Sequence, residues 1–147
     1  EKDDEVVSME LVETGQELMV VTKNGYGKRT PVEDYKIQVR GGKGLLTYDK
    51  AKFKKTGELI GAMVVGEEDD VLLINSDGII IRINAGDVSK LGRATQGVKI
   101  MKVAADANII ALAKVVPEDL DEINAIPSDN GRKTLLDNEG QVTMDTE

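Results

Sequence analysis

Seven consecutive residues, Gln38-Val39-Arg40-Gly41-Gly42-Lys43-Gly44, combine two cations with three glycines. Glycine lets backbone amides approach an anion closely, and the Arg fork and Lys ammonium match phosphate oxygens. Upstream, Asn24-Gly25-Tyr26-Gly27-Lys28-Arg29 ends in two further cations. These residue types ask for a polyanionic partner. They do not make a nucleotide P-loop, which needs two glycines separated by four residues and then Lys-Ser/Thr opening a helix. Here Leu45 and a strand-like run follow, so ATP binding by this chain is not expected.

Other chemistry is excluded by what the chain lacks. It has no Cys and no His, which removes disulfides, Cys/His zinc sites and imidazole bases. Four serines without histidine make no hydrolase arrangement, and Tyr26, Tyr35 and Tyr48 have no nucleophile context. Glu67-Glu68-Asp69-Asp70 reads as a solvated loop, because four consecutive acids cannot converge on a metal from one strand. Neither catalytic nor metal-binding residues are expected. With one Phe, three Tyr and no Trp, the chain also lacks the aromatic platforms that stack single-stranded bases.

The 147 residues suit one ordinary domain, and two-fifths of them are apolar. A net charge of −8 looks wrong for a polyanion binder until it is divided along the chain. Residues 1–22 carry one Lys against seven acids, and residues 23–55 carry ten Lys/Arg against three. Residues 56–115 carry six against eight, and residues 116–147 two against nine. Screening erases charge beyond a Debye length of about 8–10 Å, so the basic band can act locally. The competing reading is a merely solvated face. Absent cysteine fits the cytosol; no apolar run approaches a membrane span, no leader is visible, and the start at Glu1 rather than Met reads as a fragment.

The elements that must carry these residues are written twice. An offset of 53 lays Glu5–Gly44 on Glu58–Gly97 without a gap, with Arg29 on Arg82, Arg40 on Arg93 and Gly44 on Gly97. Such a period signals a repeat architecture. Each copy reads as β: Val6–Val12 or Leu59–Val65, Leu18–Thr22 or Val71–Ile74, Tyr26–Thr30 or Ile79–Ile83, and Leu45–Tyr48 or Val98–Val103. Asn24-Gly25 and Asp77-Gly78 predict type I′ hairpins. Four strands per copy is the count of a propeller blade, so the expected fold is all-β, with blades of about four antiparallel strands. Ile109–Val115 opens a further copy. The expected division is two blades over 1–116 and a loosely ordered acidic tail over 117–147.

Repeated cations on a repeated scaffold make a track along one rim, suited to the phosphates of a curved duplex. The alternative for Arg29 and Arg82 is capping strand carbonyls or pairing with Asp34 or Asp87 inside the blade.

Asn24–Thr30, Gln38–Gly44 and Leu91–Val98 together resemble motifs in the C-terminal domain of bacterial DNA gyrase A subunits, and the likeness runs from about Val6 to Ile123. That resemblance implies a β-pinwheel, a propeller-like disc of about six four-stranded blades with strands shared between neighbours, and DNA wrapped on a basic rim. It places Gln38–Gly44 at the gyrase A box, usually Gln-Arg-Arg-Gly-Gly-Lys-Gly, from which Val39 departs. It assigns this chain to the last blades, so the run is a blade-level relative of the principal box with a supporting role.

The expected DNA contacts are Lys28, Arg29, Lys36, Gln38, Arg40, Lys43, Arg82, Arg93 and Lys99, with Gly41, Gly42 and Gly44 permitting close approach. The resemblance further implies an ATP-dependent type II topoisomerase as parent, an A2B2 assembly with the gyrase B subunit, and a cytoplasmic, nucleoid-associated location. ATP and Mg²⁺ would belong to the B subunit, so no cofactor is expected in this fragment. Self-association through exposed blade edges is a further expectation, as is a tail that competes with DNA for the rim. The rival readings are the C-terminal domain of the topoisomerase IV A-type subunit, or, in another class, a protein-binding β-repeat scaffold.

Overall fold

The computed structural model describes residues 4–115, all within the unit that ends at Val116. The expected acidic tail lies outside the described residues. Seven strands form: β1 (Glu17–Thr22), β2 (Tyr26–Pro31), β3 (Leu59–Val65), β4 (Asp70–Asn75), β5 (Ile80–Asn84), β6 (Val98–Lys99) and β7 (Ile109–Val115). One sheet runs β3-β1-β2-β6 and the other β5-β4-β7, with every pair antiparallel.

Each sheet is built from two sequence copies. The β1–β2 hairpin belongs to the first copy, but its flanking strands β3 and β6 belong to the second. Likewise β7, which opens the next copy, completes the sheet of the β4–β5 hairpin. Copy and blade are therefore out of phase, as sharing between neighbours requires. This corrects two expected strands. Val6–Val12 and Leu45–Tyr48 form none, because their counterparts β3 and β6 pair with the preceding hairpin. The hairpin that these two segments would flank is not among the described residues. Val6, Met9 and Leu11 consequently stand in solvent.

Local chemistry explains the hairpins. Gly25 N–H donates to Thr22 O at 3.1 Å, and Gly25 holds φ +86°. Gly78 repeats this with Asn75 O at 3.1 Å and φ +79°. The loops are thus Lys23–Gly25 and Ser76–Gly78, three residues ending in a left-handed glycine, instead of the expected two-residue type I′ turns. A register shift recurs at Val21/Thr22 and Ile74/Asn75.

Alternation buries Met19 and Val21 of β1, Met63 and Val65 of β3, and Val71 and Leu73 of β4 in one cluster with Val88, Met101 and Ile109. At about 1.5–3 kcal/mol per buried aliphatic side chain, this cluster is the main force joining the two sheets.

Candidate nucleic-acid interface

β2 decides which cations are available. It lies between β1 and β6, and residues 89–91 run along its outer edge, where Arg29 N–H donates to Ser89 O at 3.0 Å and Leu91 N–H to Arg29 O at 2.8 Å. Covered this way, Lys28 is 0% and Arg29 4% exposed. Arg29 donates to Val88 O at 2.8 Å, to Gly86 O at 3.0 Å and to the Glu17 carboxylate, which also pairs with Lys90. Lys28 donates to Gly92 O at 2.6 Å, the Arg93 carbonyl and Thr95 Oγ1 at 3.2 Å. Burial first, and the Arg93 charge second, pull its ammonium down to about 8.

Lys28 and Arg29 are therefore corrected as direct phosphate contacts. Their donors are engaged inside the fold, and a buried cation does not reach a phosphate at the surface. The carbonyl-capping alternative describes Arg29, but its acid is Glu17 on the adjacent strand and not Asp34. An offset of 53 carries Glu17 onto Asp70 and Arg29 onto Arg82, so the pair is repeated. Arg82 Nε donates to Asp70 Oδ2 at 2.7 Å, in a pair that stays half exposed. Hydrogen bonds from Arg82, then from Asn84, hold the Asp70 carboxyl below its usual range.

The remaining expected contacts are at the surface. Lys36, Gln38, Arg40 and Lys43 are exposed, and among the described residues Arg40 and Lys43 carry no ion pair. Gly42 N–H closes a turn on Val39 O at 3.1 Å. Gly41 and Gly44 both sit at φ +78° with open space where a Cβ would be, so the backbone there is uncovered. The matched loop Leu91–Gly97 comes close to this one. Arg93 Nη1 reaches Leu46 O at 3.4 Å, and its guanidinium lies 5.9 Å from the Tyr35 ring centre. Tyr35 and Thr47 hydroxyls meet at 2.5 Å, closing the base of the first loop. The fold thus brings Arg93 against both flanks of the Gln38–Gly44 run.

Further cations sit beside the expected ones. A 3-10 turn (Lys50–Lys52) leads into α1 (Phe53–Thr56), and Lys50, Lys52, Lys54 and Lys55 are exposed on it. Asp49 caps the turn by accepting from Ala51 N–H at 3.0 Å. Lys43 and Lys50 share a cleft with Phe53 and Leu59. Lys55 and Lys99 lie 5.6 and 5.3 Å from the Tyr26 ring centre, and Lys99 also shares a cleft with Arg82. Sequence reasoning counted Lys50, Lys52, Lys54 and Lys55 in the basic band without assigning them. Their crowding, four in six residues, was the available signal.

Among the described residues no group of three or more acids is gathered as a metal site. Asp69 and Asp70 are instead engaged by Lys114 and Arg82. No described helix is long and apolar enough to cross a membrane.

The model of the family described as DNA gyrase C-terminal domain, beta-propeller, matches residues 16–66 and 69–115. The DNA gyrase A subunit of Staphylococcus aureus strain MRSA252 is 41% identical over 82% of the chain, and that of strain NCTC 8325 is 39% identical over the same share. The chain spans 14% of the length of these relatives. A solved DNA gyrase A C-terminal domain superposes with a TM-score of 0.64 at 30% identity, covering 68% of this chain and 33% of its own. The C-terminal domain of a DNA topoisomerase IV shares the fold at a TM-score of 0.66 and 19% identity, covering 74% and 33%. The chain belongs to the DNA gyrase C-terminal domain family of β-propellers.

Proposed function

We propose that the chain is a sequence-tolerant duplex-DNA-binding and DNA-bending module of a type II topoisomerase A-type subunit. The observation that supports this most is the approach of Arg93 to the flanks of the exposed Gln38–Gly44 run, which sets two repeated basic loops side by side. Phosphate contacts come from Lys36, Arg40, Lys43, Arg82, Arg93 and Lys99, with Gln38 alongside and the Lys50–Lys55 turn adding charge. Gly41, Gly42 and Gly44 let the sugar-phosphate backbone approach. Such contacts fix the path of a duplex without reading its sequence.

In the parent enzyme, the module bends DNA around its rim so that strand passage introduces negative supercoils. ATP hydrolysis with Mg²⁺ belongs to the partner B subunit of an A2B2 assembly, which works on DNA in the bacterial cytoplasm. In this reading the chain binds and bends DNA, and the bond-breaking chemistry lies elsewhere in the enzyme.

Titration of the chain with a duplex of about 40 base pairs at two salt concentrations tests the reading. Arg40→Ala with Lys43→Ala should lower the salt slope by about 1.8, two phosphates at about 0.9 each. An unchanged affinity and slope would remove the rim assignment. Negligible, salt-insensitive binding by the unaltered chain would favour a protein-binding scaffold.

A further inference from the structure

One side chain of the first copy holds the basic loop of the second. Lys28 stands in mid-β2 with no accessible surface, and its ammonium is received by Gly92 O, the Arg93 carbonyl and Thr95 Oγ1. Thr95 Oγ1 in turn donates to Gly92 O at 2.8 Å, which closes the loop on itself. A buried ammonium is costly to leave unpaired, so it keeps these carbonyls turned toward it. The consequence is directional. With the Arg93 carbonyl drawn to β2, the Arg93 guanidinium is directed to Leu46 O and the Tyr35 ring, beside the first basic loop. The position matching Lys28 on β5 is Ile81, so the second hairpin has no such ammonium.

We propose that Lys28 is a positioning residue for DNA binding, whose buried ammonium sets the Leu91–Gly97 backbone so that Arg93 meets a phosphate of the duplex. The proposal rests on the DNA-binding reading above. Its charged and titratable neighbours are few. Arg93 faces it from the loop, and the Tyr48 ring lies 5.6 Å away on the segment that follows the first basic loop. Among the described residues no carboxylate pairs with it. Burial chiefly raises the Tyr48 hydroxyl, which therefore stays neutral while Lys28, lowered to about 8, loses its proton. Loss of the Lys28 proton removes the charge that strengthens its hydrogen bonds, and the grip on the loop relaxes.

The test uses the 147-residue chain and a duplex of about 40 base pairs. Lys28→Met should weaken binding about tenfold, the worth of one charge-assisted contact, and lower the salt slope by about 1. In an Arg93→Ala background the same substitution should add no further loss, because Lys28 acts through Arg93. Affinity of the unaltered chain should fall as pH rises through about 8, and that step should be absent from Lys28→Met. Hydrogen exchange without DNA should quicken in residues 91–97 of Lys28→Met and stay unchanged in β1. Thr95→Val, which removes one acceptor and keeps the ammonium, should give the same exchange pattern more weakly if Lys28→Met does not fold. Equal losses in both backgrounds, or loop exchange unmoved in both variants, would overturn the proposal. Full-strength binding by Lys28→Met would overturn it alone, whereas no binding by the unaltered chain would remove the DNA reading and this proposal together.

Discussion

Burial separates residues that the repeat makes formally equivalent. Glu17–Arg29 and Asp70–Arg82 occupy matched positions, yet the first pair is buried and the second half exposed. Glu17→Gln leaves Arg29 without its carboxylate partner and should cost about 3 kcal/mol, read as a lower urea midpoint. Asp70→Asn should move that midpoint far less, since solvent screens the exposed pair. Lys28 gives a second signature at this scale. Its folded value of about 8 lies below its ordinary 10.5, so between these values the unfolded chain binds more protons. Stability from this group therefore rises with pH across that window, while DNA affinity falls. Lys90 has the opposite sign. Its hydrogen bond to Glu17 raises it, so its contribution is present below 10.5 and lost as pH climbs beyond. Urea titrations of the unaltered chain and Lys28→Met, at about pH 8 and about pH 10, should show the pH gain in the former alone.

At the scale of elements, strand sharing places strict demands on a few turns. Gly97 sits at φ +74°, and a Cβ there would lie 2.6 Å from Gly27 O, where β6 joins β2. Gly97→Ala combines left-handed strain with a backbone clash and should cost about 3 kcal/mol, seen as a drop in melting temperature. Gly41→Ala meets open space, so only the backbone strain of about 1 kcal/mol applies. The turn between β3 and β4 holds one acid-sensitive carboxylate. Burial pushes Asp69 up, but Gly66 N–H at 2.7 Å and Lys114 outweigh it and hold the carboxyl below its ordinary 3.8. Its stabilising contribution is present above 3.8 and is lost as pH falls through the lower folded value. Asp69→Asn should therefore flatten the loss of stability measured by urea unfolding on the acid side.

For the whole unit, strand sharing leaves open edges. Val6–Val12 and Leu45–Tyr48 correspond to strands that flank a hairpin, and β5 has no partner on its outer side among the described residues. Ile79 and Ile80 are exposed beside this edge, and unpaired strand edges are the usual sites of pairing with another β segment. Because Met9 is 92% and Leu11 87% exposed, replacing both with serine should change stability by less than about 0.5 kcal/mol. The same pair of substitutions should lower any concentration-dependent association seen by sedimentation, since it removes apolar surface from an exposed segment.

Sequence alone determined the hairpins, the 53-residue repeat, the two basic glycine loops and the family resemblance. These depend on turn residues, alternation and short motifs, which act over a few positions and can be read directly. It predicted β3 and β7 with their observed limits. The resemblance implied strands shared between neighbours, but only the tertiary structure decided which strands cross from one copy to the other, which leaves Val6–Val12 exposed. It also decided which cations face out. Lys28 and Arg29 look like their exposed neighbours in a linear reading, but residues 86–95, about sixty positions away, fold across β2 and cover them. Availability to a phosphate depends on that long-range burial. The type of a residue does not encode it.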